Sequence, residues 1–215
     1  MTSASEPAGR PNGSTQRQHI LNTALTLMSQ QGVDGTSMRN LAAATGLNVA
    51  SLYHYFPSKR DLLVAVLEER GLAAGLSPAS QPALLDPAPT RLADLLDDIL
   101  QSMLEVDDFI RLMIGEVMRG DQTAYAVGTD LFAATQQLLE KWLAEHEPAV
   151  SPPGGPQALA RMLRTLLVGL LLEHITGVLD PVTGGDADAA AEFRARAEEL
   201  AAIVEQAVGS SEGGS

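Results

Sequence analysis

The chain contains no cysteine, which excludes disulfides, thiolate metal sites and thiol nucleophiles and fits a reducing compartment. Its longest apolar run, Leu166 to Leu172, falls far short of the ~20 residues that a membrane-spanning helix needs. The polar N-terminal stretch offers no apolar core for a secretory signal. No segment alternates as a strand would, and no internal repeat is present. The four histidines, His19, His54, His146 and His174, are widely separated and none has a metal-binding spacing. Gly184-Gly185 lacks the strand-loop-helix setting of a phosphate loop. Asp94, Asp97 and Asp98 read as a solvated helix face rather than a cation site. These absences lead us to expect a soluble, cytoplasmic, non-catalytic protein with no cofactor, no metal and no membrane partner.

Basic charge is also scarce, but unevenly so. The chain of 215 residues has a formal net charge of −13. Residues 1–70 sum to +1 and residues 71–215 to −14. Within 10–60, Arg10, Arg17, Arg39, Lys59 and Arg60 face only Asp34, a local balance of +4. This asymmetry suggests a small basic module joined to an acidic body.

What the sequence does contain is helical periodicity. Ile20, Ala24, Leu27 and Met28 mark a first helix from Thr15 to Gln31, with Gly32 as its stop and Arg10 and Arg17 read as solvated. A second starts after Thr36 or Ser37 and ends near Thr45; Asn48 caps a third over Val49–Tyr55, reading as a cap and not as a base reader. Ser58 caps the fourth, with Asp61 in capping-box spacing and Leu62, Leu63, Val66 and Leu67 as its apolar stripe. Proline-rich residues 71–90 read as a connection. Further helices are expected over about 91–106, 108–119, 122–147, 157–179 and 187–208, parted by breaks at 148–156 and 180–186.

The stretch Ser37 to Tyr53 has the logic of a helix-turn-helix. Ala42 is small where two helices approach, Gly46 suits the turn, and Leu47 and Leu52 are apolar where the second helix packs back. With its continuation, Thr36-Ser37-Met38-Arg39-Asn40-Leu41-Ala42, Gly46-Leu47 and Ser51-Leu52-Tyr53-His54-Tyr55-Phe56-Pro57-Ser58-Lys59-Arg60-Asp61-Leu62-Leu63, it resembles the signature of the tetracycline-repressor (TetR) family. Tyr55 stands where that family often has His. The resemblance covers roughly residues 15–65 and is architectural beyond about residue 70.

The resemblance implies an all-α fold of about nine helices. An N-terminal helix-turn-helix DNA-binding head of three helices, residues 15–62, would sit on a helical ligand-binding and dimerisation body, residues 63–208. Residues 1–14 and 209–215 would be disordered tails. It implies that Ser37, Tyr55 and Lys59 hold phosphates and that Arg39 lies near the backbone or a base. In the reading of the third helix, Val49 and Ala50 are small enough to reach a thymine methyl, and Ser51 can bond a base or phosphate. Tyr53 and His54 lie on its exposed side, with packing or solvent as their alternative roles. No Arg or Lys falls between Asn48 and Pro57, so the commonest guanine contact is missing from this helix.

In the body, residues 161–179 are apolar nearly all round, so a partner subunit is the natural cover for part of them. The resemblance implies that this helix and the last form a dimerising pair, and we assign the interface to Leu163, Leu167, Leu171, Ile175, Phe193, Leu200 and Val204. The family's usual ligand cavity lies among the remaining helices. We assign its lining to Met103, Phe109, Met113, Val117, Leu166, Leu170 and His174, with the dimer seam as the other place for His174. The expected partners are double-stranded palindromic operator DNA, a small and mainly apolar effector, and a second copy of the chain. A same-fold regulator governed by a protein partner or activating transcription, and a helical binding or catalytic protein with a vestigial head, remain alternatives.

Overall fold

Apolar side chains three and four residues apart produce helices throughout. The computed structural model describes residues 13–73, 89–146, 155–177 and 186–209. In chain order these form α1 (Gly13–Gly35), α2 (Met38–Thr45), α3 (Val49–Tyr55), α4 (Lys59–Ala73), α5 (Leu92–Leu104), α6 (Asp107–Met118), α7 (Gln122–His146), α8 (Gly155–Thr176) and α9 (Asp186–Gly209). No strand occurs among the described residues, and none of their helices is long and apolar enough to cross a membrane. The expected terminal tails, apart from residues 13–14 and 209, and most of the three expected connections lie outside the described residues. The first helix begins at Gly13, not Thr15. Gly32 does leave helical geometry (φ 74, ψ 161), but a short turn continues to Gly35.

Residues 1–70 and 71–215 form two compact units. In the first, α1 buries Ile20, Leu21, Ala24 and Met28, while α4 buries Leu62, Leu63, Val66 and Leu67. Each of these side chains larger than alanine contributes about 1.5–3 kcal/mol when removed from water. Thr36 is fully buried and donates its hydroxyl to the carbonyls of Gly32 at 2.9 Å and Leu27 at 3.3 Å, which closes the end of α1. At the start of α4, Ser58 Oγ accepts from the Asp61 amide at 3.1 Å and donates to Asp61 Oδ2 at 2.7 Å. Arg17 is not a solvated side chain. Its guanidinium pairs with both oxygens of Glu69 and lies 5.0 Å from the centroid of the Phe56 ring, tying α1 to α4.

In the second unit α5 packs most extensively on α9, and α7 packs on both α6 and α8. The buried stripe of α5 is Leu92, Leu95, Leu96, Ile99, Leu100 and Met103. Polar ties flank it: Arg91 to Glu198 at 2.9 Å, Arg194 to Asp97 at 2.9 Å, and the Gln101 amide to the Ala190 carbonyl at 2.9 Å. Near the end of α7 the buried Trp142 donates its indole N–H to the Pro89 carbonyl at 2.7 Å and stacks on His146 at 4.6 Å.

The placement of α8 corrects the expected interface. Leu163 and Leu167 are 0% exposed and Leu171 5%, and on α9 Phe193 is 5% and Val204 7% exposed. These five fill the core of their own chain, whereas Ile175 and Leu200 are half-buried. The apolar residues that α8 and α9 leave outward are Met162, Leu166, Leu172 and Ile203. A helix must first bury one stripe against its own domain. On a helix apolar all round, spacing identifies the stripes but does not say which one turns inward.

The Arg17–Glu69 pair makes the first unit acid-sensitive. The hydrogen bond from Arg17 holds the Glu69 carboxyl below its ordinary range, against the opposing effect of desolvation. A depressed carboxyl contributes stability that is fully present above its unfolded value and is lost as pH falls through the folded one. We therefore expect the urea midpoint of wild type to exceed that of Glu69→Gln at about pH 6, with the gap closing toward about pH 3. An unchanged gap would show that the pair contributes nothing.

Candidate nucleic-acid interface

The α2–turn–α3 segment is defined residue by residue. Ser37 is the N-cap of α2, and its hydroxyl accepts from the Asn40 amide at 3.1 Å. Gly46 ends α2 in the left-handed region (φ 69, ψ 17), which costs most residues a close approach of Cβ to the carbonyl that glycine avoids. The Leu47 amide then returns to the Ala42 carbonyl at 2.9 Å, which turns the chain into α3. Asn48 caps α3, its Oδ1 accepting from the Ser51 amide at 2.7 Å. Leu52 at 0% and Phe56 at 2% exposure anchor the inner side.

That anchoring decides what is presented outward. Val49, Ala50, Tyr53 and His54 are exposed, while Ser51 and Tyr55 are half-buried. The rings of His54 and Tyr55 meet edge to face at 5.9 Å. Ser37 and Arg39 are exposed at the start of α2, and Arg39 makes no hydrogen bond or ion pair with any described residue. Lys59, expected to hold a phosphate, also has a partner within its own chain. Its ammonium donates to the Val33 carbonyl at 2.7 Å, joining α4 to the end of α1 and leaving two of its three N–H groups for other partners.

A second candidate site lies within the 71–215 unit. An apolar cavity, open at its mouth, is walled by Met103 of α5 and Ile110, Met113 and Ile114 of α6. Leu131, Phe132 and Thr135 of α7 and Arg164, Leu167, Val168 and Leu171 of α8 complete it. Thr135 donates its hydroxyl to the Leu131 carbonyl at 3.0 Å.

Of the expected lining, Met103 and Met113 are on this wall. Phe109 is buried elsewhere at 1% exposure, Val117 and Leu170 are half-buried away from the wall, and Leu166 faces outward at 38%. His174 lies 3.7 Å from Asp107 and edge-on to Phe193 at 5.4 Å, and it does not line this cavity. Arg164 was legible in the sequence only as a basic residue three positions before Leu167 on an apolar helix. No cluster of three His, Cys, Asp or Glu suited to a metal occurs among the described residues.

Comparison with known proteins bears on the head first. Residues 20–66 match the family described as bacterial regulatory proteins, tetR family. The regulator AcrR of Shigella flexneri is 46% identical over 52 residues, 24% of either chain. The chain thus spans about a quarter of that relative's length. The transcriptional repressor KstR of Rhodococcus jostii is 27% identical over 164 residues, covering 75% of this chain and 73% of its own. A TetR transcription regulator from Haloarcula marismortui shares the fold at a TM-score of 0.64 and 18% identity, covering 88% of this chain and 98% of its own.

The cap at Asn48 is testable without any ligand. Asn48→Ala should cost about 1 kcal/mol, read as a lower urea midpoint, while Asn48→Asp should hold near wild type because a carboxylate caps equally well. Equal losses in the two variants would rule out the cap as the source of the effect.

Proposed function

We propose that this chain, which belongs to the tetR family of bacterial regulatory proteins, is a repressor that binds a palindromic operator as a homodimer and is released by a small, mainly apolar effector. The observation that carries the reading is the outward face of α3: Val49, Ala50, Tyr53 and His54 are exposed on a helix whose other side is anchored by Leu52 and Phe56. A helix presented this way fits a major groove. Its small N-terminal residues permit close approach, Val49 or Ala50 can meet a thymine methyl, and Tyr53 and His54 can reach bases or backbone.

Phosphates would be held around α3. Ser37 offers its hydroxyl and the positive end of α2, and Arg39 offers an unengaged guanidinium. Tyr55 and the remaining donors of Lys59 add to this rim. With no Arg or Lys on α3, each half-site has modest specificity, which two copies would compound. Two heads would read half-sites about 34–36 Å apart or a simple variant of that spacing. The repressor reading is supported by the Rhodococcus relative, whose name is that of a repressor. The apolar cavity supports a small-molecule effector over control by a protein partner.

A second copy would cover the outward stripe of α8 and α9. Met162, Leu166 and Ile203 supply apolar area there, and Gly169 has nothing within 4 Å of where its Cβ would stand, so a facing helix can come close. Release would follow from linkage: an effector that lowers operator affinity must itself bind more weakly, by the same factor, to the operator complex.

Two measurements test this reading. Arg39→Ala should weaken binding about equally to the chain's own upstream DNA and to unrelated DNA and flatten the salt slope by about 1, whereas Tyr53→Ala should cost about 1–3 kcal/mol on the upstream DNA. An unchanged affinity in both would remove α2–α3 as the DNA-binding surface. Leu166→Glu places a charge on the exposed stripe and should give a folded monomer by light scattering, while wild type gives twice the chain mass. A wild-type monomer at micromolar concentration, or a dimeric variant, would reject the interface.

A further inference from the structure

We infer that the cavity takes an apolar molecule bearing a single anionic head, held by Arg164 at the mouth. This rests on the reading of the cavity as the effector site and adds the charge of its occupant. The first observation is the bareness of the wall. Met103, Met113, Ile114, Leu167 and Leu171 are apolar, and the Thr135 hydroxyl is already directed to its own helix. An occupant's body must therefore be apolar, since a buried polar group would find no partner there.

The second observation is Arg164 itself. Residues 71–215 carry a net charge of −14, so carboxylates are abundant and most bases find one. Arg91, Arg111, Arg119, Arg194 and Arg196 all form ion pairs. Arg164, like Lys141 and Arg161, has no carboxylate partner among the described residues, and of these three it alone lines the cavity. It is instead positioned over the ring of Phe132, 5.9 Å from the centroid, and both residues line the cavity. Phe132 is 41% exposed, which places this pair at the opening and not in the depth. A guanidinium with no carboxylate partner, placed beside an aromatic ring at an apolar mouth, is open to a carboxylate, which it can grip with two N–H groups. No acidic residue lines the cavity, so a cationic occupant would have nothing to neutralise it.

The experiment compares three probes of one chain length on the full-length protein: decanoate, decanol and decyltrimethylammonium, titrated by calorimetry. Decanoate should bind at least about tenfold tighter than either of the others, the scale of one charge-assisted contact. Arg164→Gln should remove that advantage while leaving decanol unchanged, and Arg164→Lys should restore part of it. Met113→Trp, which fills the cavity, should abolish binding of all three. Equal binding of the three probes to wild type would overturn the anionic head while leaving the cavity as a ligand site. Binding of none, or binding that survives Met113→Trp, would overturn both.

Discussion

A helix of seven residues cannot hold itself together, because nucleation costs more than so few hydrogen bonds return. Everything the head can offer a partner therefore depends on how α3 is fixed from outside. Three devices do this: the left-handed turn at Gly46, the Asn48 side chain on the Ser51 amide, and the burial of Leu52 and Phe56. The turn sets direction, the cap sets the starting point, and the buried pair sets rotation about the axis. Rotation matters most, since it alone determines that Val49, Ala50, Tyr53 and His54 are the residues exposed. The Arg17 guanidinium over Phe56 extends this support to α1 and α4.

The head was legible because its signals are local. Ser37, Gly46, Asn48 and Ser58 act within a few residues of their own positions, so spacing alone reveals their roles. The helices of the body were equally legible as helices. What spacing could not reveal was orientation. Leu163, Leu167 and Leu171 form a stripe at helical spacing, and so do Met162 and Leu166, yet only the first stripe is buried within the chain. The choice is made by the packing of α7 and α5 against α8, which no spacing within α8 itself reports. Long-range side-chain geometry was hidden for the same reason: nothing local to Lys59 or Arg17 announces that one reaches Val33 and the other Glu69.

The cavity shows the same division. Its apolar character follows from composition, and Met103 and Met113 are on its wall. His174 looked like a polar anchor because it is the one imidazole on an apolar helix. Its neighbours, however, are Asp107 and Phe193, and Arg111 fastens Asp107 and the Ile175 carbonyl at 2.6 and 2.8 Å, so that end of α8 is committed to internal ties. Arg164, nearly three turns earlier on the same helix, lines the cavity and has no ion pair among the described residues.

On the reading proposed above, α8 then has two occupants on two faces. Leu167, Val168 and Leu171 form part of the cavity wall, while Met162, Leu166 and Gly169 face outward, where a second copy would pack. A close-packed helix moves as a rod, because displacing one side chain within a dense core displaces its neighbours too. An effector that enters beside Leu167 must shift α8 or select a population in which it is already shifted. Either change alters the surface offered to the partner. Coupling between effector and dimer geometry therefore needs no chain of intermediate residues, only a difference in effector affinity between two positions of one helix. The size of that difference, and not the tightness of binding, sets how far an effector can act.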